Sequence, residues 1–233
     1  MSEIYRDLRE ARRIAQEQGE RERNSRQRTG WDYYNSSIQS YEDSFRDVVP
    51  TSIQDSIKHR KAQGLPNIVL DLMSPGGTLR DLDIDSGFAV TLGDRRSDTI
   101  KKADERKGID VIEADILTKR CWKEIREWLD EKHVKGFSLI LCRPLMGATI
   151  IPKDLDLAYF LLNQAWMLLD TGGMFLTETR YFEDNVIGEY TQILVSNGID
   201  SKMSPRAESG ELHQGALRLL KSSTSPDILP KLP

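Results

Sequence analysis

The stretch Asn67-Ile-Val-Leu-Asp-Leu-Met-Ser-Pro-Gly-Gly-Thr78 decides the fold of this chain. Its apolar residues show no polar alternation, which is typical of a strand buried on both faces of a parallel sheet. Asp71 interrupts the run near the carboxyl end of that strand, outside which ligands bind in open α/β sheets. Gly76 and Gly77 let a ligand approach the main chain closely. The stretch therefore predicts a first strand that runs into a ligand loop. The alternative is an ordinary turn in which Asp71 caps a helix.

The overall composition limits the class of protein. The chain has 233 residues, enough for one domain with an added segment, and its net charge of −4 argues against a surface for binding polyanions. Cys121 and Cys142 have neither disulfide-framework nor metal-site spacing, and the first residues do not form a signal sequence. No run approaches the roughly twenty apolar residues that a membrane span needs. We therefore expect a soluble cytoplasmic protein without a metal site.

Strands and helices alternate after the first strand, which predicts a doubly wound parallel sheet. Two final strands without a helix between them predict an antiparallel pair at the sheet edge. The predicted fold class is therefore α/β, a Rossmann-like doubly wound, mostly parallel sheet with an antiparallel C-terminal edge pair, preceded by an N-terminal helical segment. Further strands are predicted at 87–94, 108–117, 137–142, 174–179, 199–203 and 215–221. We divide the chain into a helical extension with a possible cap (1–61), a main domain (62–222) and a flexible tail (223–233).

Two N-terminal segments differ in composition from the main domain. Residues 2–28 interleave arginine with glutamate and aspartate, which favours a solvated helix of mixed charge over an RNA-binding arm. That helix is a candidate surface for a protein partner or a second copy of the chain. Residues 31–45 contain five aromatic side chains, which indicates a helix packed on the main domain, a ligand lid, or both.

Acidic residues follow the second and third predicted strands as well as the first. Asp94 lies about twenty residues after the loop, at the position where Rossmann-type sheets place a carboxylate for ribose hydroxyls. Asp115 comes near the end of the third strand. A nicotinamide dehydrogenase is disfavoured because the G-x-G-x-x-G signature is absent.

With these motifs in place, the chain resembles the class I S-adenosylmethionine-dependent methyltransferases over about residues 67–221. The resemblance implies S-adenosylmethionine as the cofactor and methyl transfer to a small polar acceptor. By the family's pattern the first loop holds the methionine part, Asp94 the ribose, and the third strand's end the adenine. The implied cofactor-binding residues are Asp71, Ser74, Gly76, Gly77, Asp94, Arg95, Ala114, Asp115, Ile116, Cys142 and, from the N-terminal cap, Tyr41, with Tyr33 and Tyr34 as further candidates.

The chain departs from the family pattern at two places. Met73 and Pro75 stand where the first loop usually has glycines. Cys142-Arg143-Pro144-Leu145 replaces the Asp/Asn-Pro-Pro-aromatic tetrad, which disfavours methylation of base or glutamine amino groups. The alternatives are therefore a catalytically inactive binding or scaffold module and, third, an RNA methyltransferase.

Three residues are candidates for chemistry near the transferred methyl group. Arg143 suits a carboxylate- or phosphate-bearing substrate, or else forms a salt bridge with Asp71 or Glu178. His213 is a candidate base, or else a solvated loop residue. Cys142 is a possible nucleophile, although a buried thiol at a strand end is more often inert packing.

Overall fold

The computed structural model describes residues 37–91, 94, 96–143, 155–179, 184–206 and 214–233. The Arg/Glu-rich segment, Tyr33 and Tyr34 lie outside the described residues, and so do Arg95 and His213. The predictions made for these positions stay predictions.

The described strands form one seven-stranded sheet in the order β3-β2-β1-β4-β5-β7-β6. The strands β1 to β5 pair in parallel, and β7 lies antiparallel to both β5 and β6. This topology confirms the predicted fold class. The strands are β1 Ile68–Leu72, β2 Ser86–Thr91, β3 Ile109–Glu113, β4 Phe137–Cys142, β5 Leu169–Glu178, β6 Asp200–Arg206 and β7 Gln214–Leu220.

Helices pack on both faces of the sheet. Ser52, Ser97 and Thr118 cap three of them, each by accepting a hydrogen bond from the backbone N–H three residues later. None of the described helices has the length and apolar content that a membrane crossing requires. The described helices are α1 Ile38–Phe45, α2 Ile53–Ala62, α3 Gly77–Arg80, α4 Asp98–Arg106, α5 Lys119–Glu131, α6 Leu155–Leu168 and α7 Asp184–Ser196.

Strand alternation divides the core into two clusters, one on each face. In β1, Leu70 and Leu72 pack with α5, α6 and α7, whereas Val69 packs with α1 and α2. Asp71 therefore shares the face of Val69 and lies toward α1. The sheet thus fixes which polar residues meet the N-terminal helices.

The fifth strand starts earlier than predicted. Residues 170–173 lie before the predicted strand 174–179, but they belong to β5, whose register with β4 shifts between Phe137 and Leu139. The two strands come very close at this point. A Cβ atom on Gly136 would lie 2.7 Å from the Leu168 carbonyl oxygen, and one on Gly173 would lie 2.8 Å from the Phe137 carbonyl oxygen. Gly136 and Gly173 therefore lie where the two strands approach too closely for a side chain.

Residues 223–233, which composition predicts as a flexible tail, lie against α6 and α7 in the structure. Side-chain donors on these helices bind carbonyl groups of the tail: Trp166 Nε1 donates to Pro226 at 2.8 Å, and Tyr190 Oη donates to Pro230 at 2.9 Å. Leu229 is 2% exposed and belongs to the larger core cluster. Composition does not reveal this packing because the donors are far away in sequence.

We predict that Leu229→Ala lowers the free energy of unfolding by about 2–3 kcal/mol, because it leaves a cavity in the larger core cluster. Chemical denaturation measures the change. Ile228→Ala is the matched control: Ile228 is 58% exposed, so its truncation should change stability by less than about 0.5 kcal/mol. Equal effects of the two variants would show that the tail does not pack as described.

Candidate functional site

A buried carboxylate lies at the carboxyl end of the central strand β1. Asp71 is fully buried, and its Oδ1 accepts a hydrogen bond of 2.9 Å from the Tyr41 hydroxyl of α1. The other oxygen, Oδ2, has no hydrogen-bond partner within the part of the chain that the structure describes. Native proteins rarely leave a buried carboxylate oxygen unpaired, so this atom is a candidate contact for a ligand, a water molecule or a residue outside the described ranges.

Arg143 and Glu178 lie beside this carboxylate, at the ends of β4 and β5. Arg143 Nε donates to Glu178 Oε1 at 2.9 Å, and its Nη1 donates to Ser40 Oγ at 2.7 Å. The guanidinium also lies over the Tyr41 ring, 5.4 Å from its centroid. Of the alternatives that the sequence leaves open for Arg143, the structure shows the salt bridge to Glu178. We call Ser40, Tyr41, Asp71, Arg143 and Glu178 the carboxyl-edge cluster.

The electrostatics of the cluster follow from burial. Burial raises the pKa of Asp71 to about 7, and the hydroxyls of Ser74 and Tyr41 and the charge of Arg143 offset part of this rise. Burial and the neighbouring Asp71 also raise the pKa of Tyr41 well above its ordinary value. Tyr41 therefore remains a hydrogen-bond donor at neutral pH.

The loop after β1 is compact and mostly buried. Ser74 is 2% exposed; its backbone N–H donates to the Val90 carbonyl at 2.9 Å, and its hydroxyl accepts from the Gly76 N–H at 3.2 Å. Met73 has a φ of 69°, and Gly76 has a φ of 79°. Met73 thus adopts a conformation that favours glycine, at the position where the family pattern has one.

Asp94 lies three residues beyond the end of β2 and is held by an arginine. Arg96 binds both carboxylate oxygens, with Nε 2.9 Å from Oδ1 and Nη2 3.0 Å from Oδ2. Hydrogen bonds from Arg96 lower the pKa of Asp94 to about 2. The Asp94 backbone N–H donates to Glu113 at the end of β3. Asp94 thus remains ionised at neutral pH.

The residues predicted at the end of the third strand form a turn after β3. The Ala114 N–H donates to the Thr91 carbonyl at 3.0 Å, and Asp115 Oδ1 accepts from the Leu117 N–H at 2.9 Å. Ile116 is buried, and its carbonyl accepts from Trp122 Nε1. One oxygen of Asp115 therefore stabilises the turn itself.

Cys142 does not share the face of Asp71. It packs in the larger core cluster, on the side of α5, α6 and α7. Burial raises the pKa of its thiol to about 12, so the thiol stays protonated at neutral pH. These observations favour inert packing over nucleophilic chemistry for Cys142.

Two surface cavities lie at the opposite, amino-terminal edge of the sheet. One, of about 210 Å³, is lined by Ile68 and Ser138, and the other, of about 370 Å³, is lined by Asp85 and Gly108. None of the predicted cofactor-binding residues lines either cavity. Within the described residues, no group of three or more histidine, cysteine, aspartate or glutamate side chains is arranged to hold a metal ion.

The sequence did not single out several residues that complete the site. Ser40 and Ser44 join Tyr41 on one face of α1, and Ser44 Oγ donates to Glu178 Oε1 at 3.4 Å. Their helical spacing was a usable signal, since residues three and four apart share a face. Arg96 and Asp104, which connect to Asp94, lie among many other charged residues and carried no such signal.

Comparisons with known proteins find similarity at the level of structure. No protein-family model and no curated protein sequence matches the chain. N-methyltransferase NodS from Bradyrhizobium japonicum WM9 is 13% identical, with a TM-score of 0.43 over 72% of this chain and 93% of that chain. Another structure of NodS is a complex with S-adenosyl-L-homocysteine.

Two further solved structures belong to methylating enzymes of other kinds. An rRNA methylase from Streptococcus thermophilus is 14% identical, with a TM-score of 0.39 over 67% of this chain and 87% of that chain. An O-methyltransferase family protein from Burkholderia thailandensis is 12% identical, with a TM-score of 0.44 over 80% of this chain and 59% of that chain. Parallel strands closed by an antiparallel pair, as described above, form the arrangement that the sequence resemblance implied. The chain has a Rossmann-like, mostly parallel α/β fold with an antiparallel edge pair. Within this fold, Asp71 of the carboxyl-edge cluster and Asp94 lie where the first and second strands end.

We predict that stability falls as the pH rises from about 4 to about 7. Asp71 keeps its proton in this range in the folded state but has lost it in the unfolded state, where its pKa is near 3.8. The loss amounts to at most roughly 4 kcal/mol, and Asp71→Asn should abolish it. Chemical denaturation at a series of pH values measures the slope. Asp94→Asn is a control for which the pH dependence has the opposite sign. Because the folded-state pKa of Asp94 is low, its ionised carboxylate stabilises the fold above about pH 4, and this stabilisation is lost as the pH falls toward about 2.

A second prediction concerns the backbone at Met73. Met73→Ala and Met73→Gly remove the same packing beyond Cβ, but only alanine keeps a Cβ in the left-handed conformation. We expect the glycine variant to be more stable than the alanine variant by about 1 kcal/mol, measured by chemical denaturation. The reverse order would mean that Met73 does not adopt the positive φ.

Proposed function

We propose that this chain binds S-adenosylmethionine and transfers its methyl group to a small polar acceptor. The observation that carries the proposal is the buried Oδ2 of Asp71, which lacks a partner among the described residues. It lies at the carboxyl end of the central strand, immediately before the turn with Gly76 and Gly77. This is the edge at which open α/β sheets bind their ligands.

The chemistry of the site fits the cofactor. Above its pKa of about 7, the buried Asp71 carboxylate complements the α-ammonium group of S-adenosylmethionine, and a charge-assisted hydrogen bond of this kind contributes about 1.5–3 kcal/mol. The glycine turn leaves room for close approach to the main chain. Asp94 Oδ2 accepts one hydrogen bond from Arg96, which leaves lone pairs for ribose hydroxyls. Asp115 is the expected neighbour of the adenine.

The bound cofactor supplies a sulfonium, whose methyl group already has a good leaving group. The protein therefore mainly has to orient the reactants and exclude water. In this proposal Tyr41 and Arg143 exclude water, because they close the side of the site that faces α1. Since Glu178 balances the charge of Arg143, the pair favours a polar acceptor over a strongly anionic one.

A second candidate function is a catalytically inactive binding or scaffold module. It is favoured by the contacts that the proposed cofactor-binding groups already make within the chain: Tyr41 binds one oxygen of Asp71, and Arg96 binds both oxygens of Asp94. In this alternative, α1 and Arg96 permanently occupy the positions of the cofactor.

Isothermal titration with S-adenosylmethionine and S-adenosylhomocysteine separates the two functions. We expect binding in the micromolar range, weakened at least about tenfold by Asp71→Asn, because the variant keeps the shape but loses the charge. Asp200→Asn is the control; it removes an ion pair with Arg218 on the edge strands, away from the site. Absence of binding at millimolar ligand would contradict the proposal and support the inactive module.

A further inference from the structure

A chain of ion pairs joins the loop after β1 to the carboxylate after β2 through α4. Asp104 Oδ1 lies 2.6 Å from Arg80 Nε, and Asp104 Oδ2 lies 2.6 Å from Arg96 Nη1. Arg80 Nη2 makes a further hydrogen bond of 3.1 Å to Asp104 Oδ2. Each oxygen of this carboxylate therefore binds a guanidinium group. We call Arg80, Asp94, Arg96 and Asp104 the ion-pair network.

The ion-pair network is an unusual way to attach a helix. Asp104 is 1% exposed and is the buried residue of α4, whereas the apolar Ile100 on the same helix is 37% exposed. Surface helices are ordinarily attached by an apolar stripe, and a buried ion pair is weak evidence for stability because desolvation offsets the attraction. The burial of Asp104 is therefore better explained by a role in positioning its two arginine partners than by a gain in stability.

The two arginines lead from Asp104 to different parts of the site. Arg80 Nη2 donates to the Pro75 carbonyl at 3.2 Å, within the turn that contains Gly76. Arg96 holds both oxygens of Asp94. Because guanidinium groups are planar and bind in a fixed geometry, each link constrains direction as well as distance. Asp104 thus ties the loop after β1 to the carboxylate after β2.

We propose that Asp104 is a positioning residue, which fixes the glycine turn and Asp94 relative to each other and thereby sets the affinity for the adenosyl ligand. The inference rests on the proposed function for its ligand. Asp104 acts through Arg80 and Arg96, and binding sites need such support because small displacements of the contacting groups weaken binding.

The first test is the affinity of Asp104→Asn for S-adenosylhomocysteine, measured by titration calorimetry. We expect at least about a tenfold loss, because the neutral amide cannot hold both guanidinium groups. Leu229→Ala is the matched control for lost stability, and its affinity should equal that of the wild type. An affinity of Asp104→Asn equal to that of Leu229→Ala would overturn the proposal.

A double-mutant cycle with Arg96→Gln tests whether Asp104 acts on Asp94 through Arg96. If Asp104 acts on Asp94 through Arg96, the loss caused by Asp104→Asn becomes smaller in the Arg96→Gln background. Full additivity of the two losses in affinity would overturn this route.

Hydrogen exchange without ligand separates this inference from the proposed function. We expect Asp104→Asn to increase amide exchange both at residues 74–80 and at Asp94 and Arg96, whereas Leu229→Ala leaves both regions unchanged. Unchanged exchange at either region in Asp104→Asn would overturn the positioning role. If the wild-type chain binds neither adenosyl compound but exchange rises at both regions, the proposed function fails and the geometric coupling stands.

Discussion

The hydrogen bond between Tyr41 and the buried carboxylate of Asp71 is the contact on which this edge of the structure depends. A charged group in a fully buried position is costly unless neighbours compensate it. Here α1 supplies the phenol, and Arg143 supplies a positive charge over the same aromatic ring. The N-terminal helix is therefore part of the polar environment that lets the central strand end in a carboxylate.

The alternation of side chains along the strands decides what this environment contains. Asp71 and Glu178 lie on the face that α1 covers, together with Val69 and Leu176. Cys142 lies on the other face and is buried in the larger core cluster. Neighbouring strands thus place these polar groups on one face of the sheet, whereas the larger apolar core cluster lies on the opposite face.

Charged contacts also organise the second acidic end of the site. In α5, five apolar residues face the core, whereas α4 buries a carboxylate. The two helices therefore have different roles: α5 buries apolar side chains, and α4 holds Arg80 and Arg96 in position through Asp104. Both polar arrangements, the carboxyl-edge cluster and the ion-pair network, converge on the loop after β1, which itself has little freedom because its backbone binds β2.

The sequence by itself determined the fold class, because buried parallel strands, interleaved helices and a helix-free final pair each have a local signature. It also placed Asp71, Asp94 and Asp115 at consecutive strand ends, since the carboxyl ends of parallel strands share one edge. Only the tertiary structure decided the partners of these groups. The Tyr41–Asp71 contact spans 30 residues, the Arg143–Glu178 pair spans 35, and the tail packs against helices about 40 to 70 residues earlier. Such pairings depend on which faces the packing brings together, and in a chain with 30% charged residues no local pattern distinguishes Asp104 from its solvated neighbours.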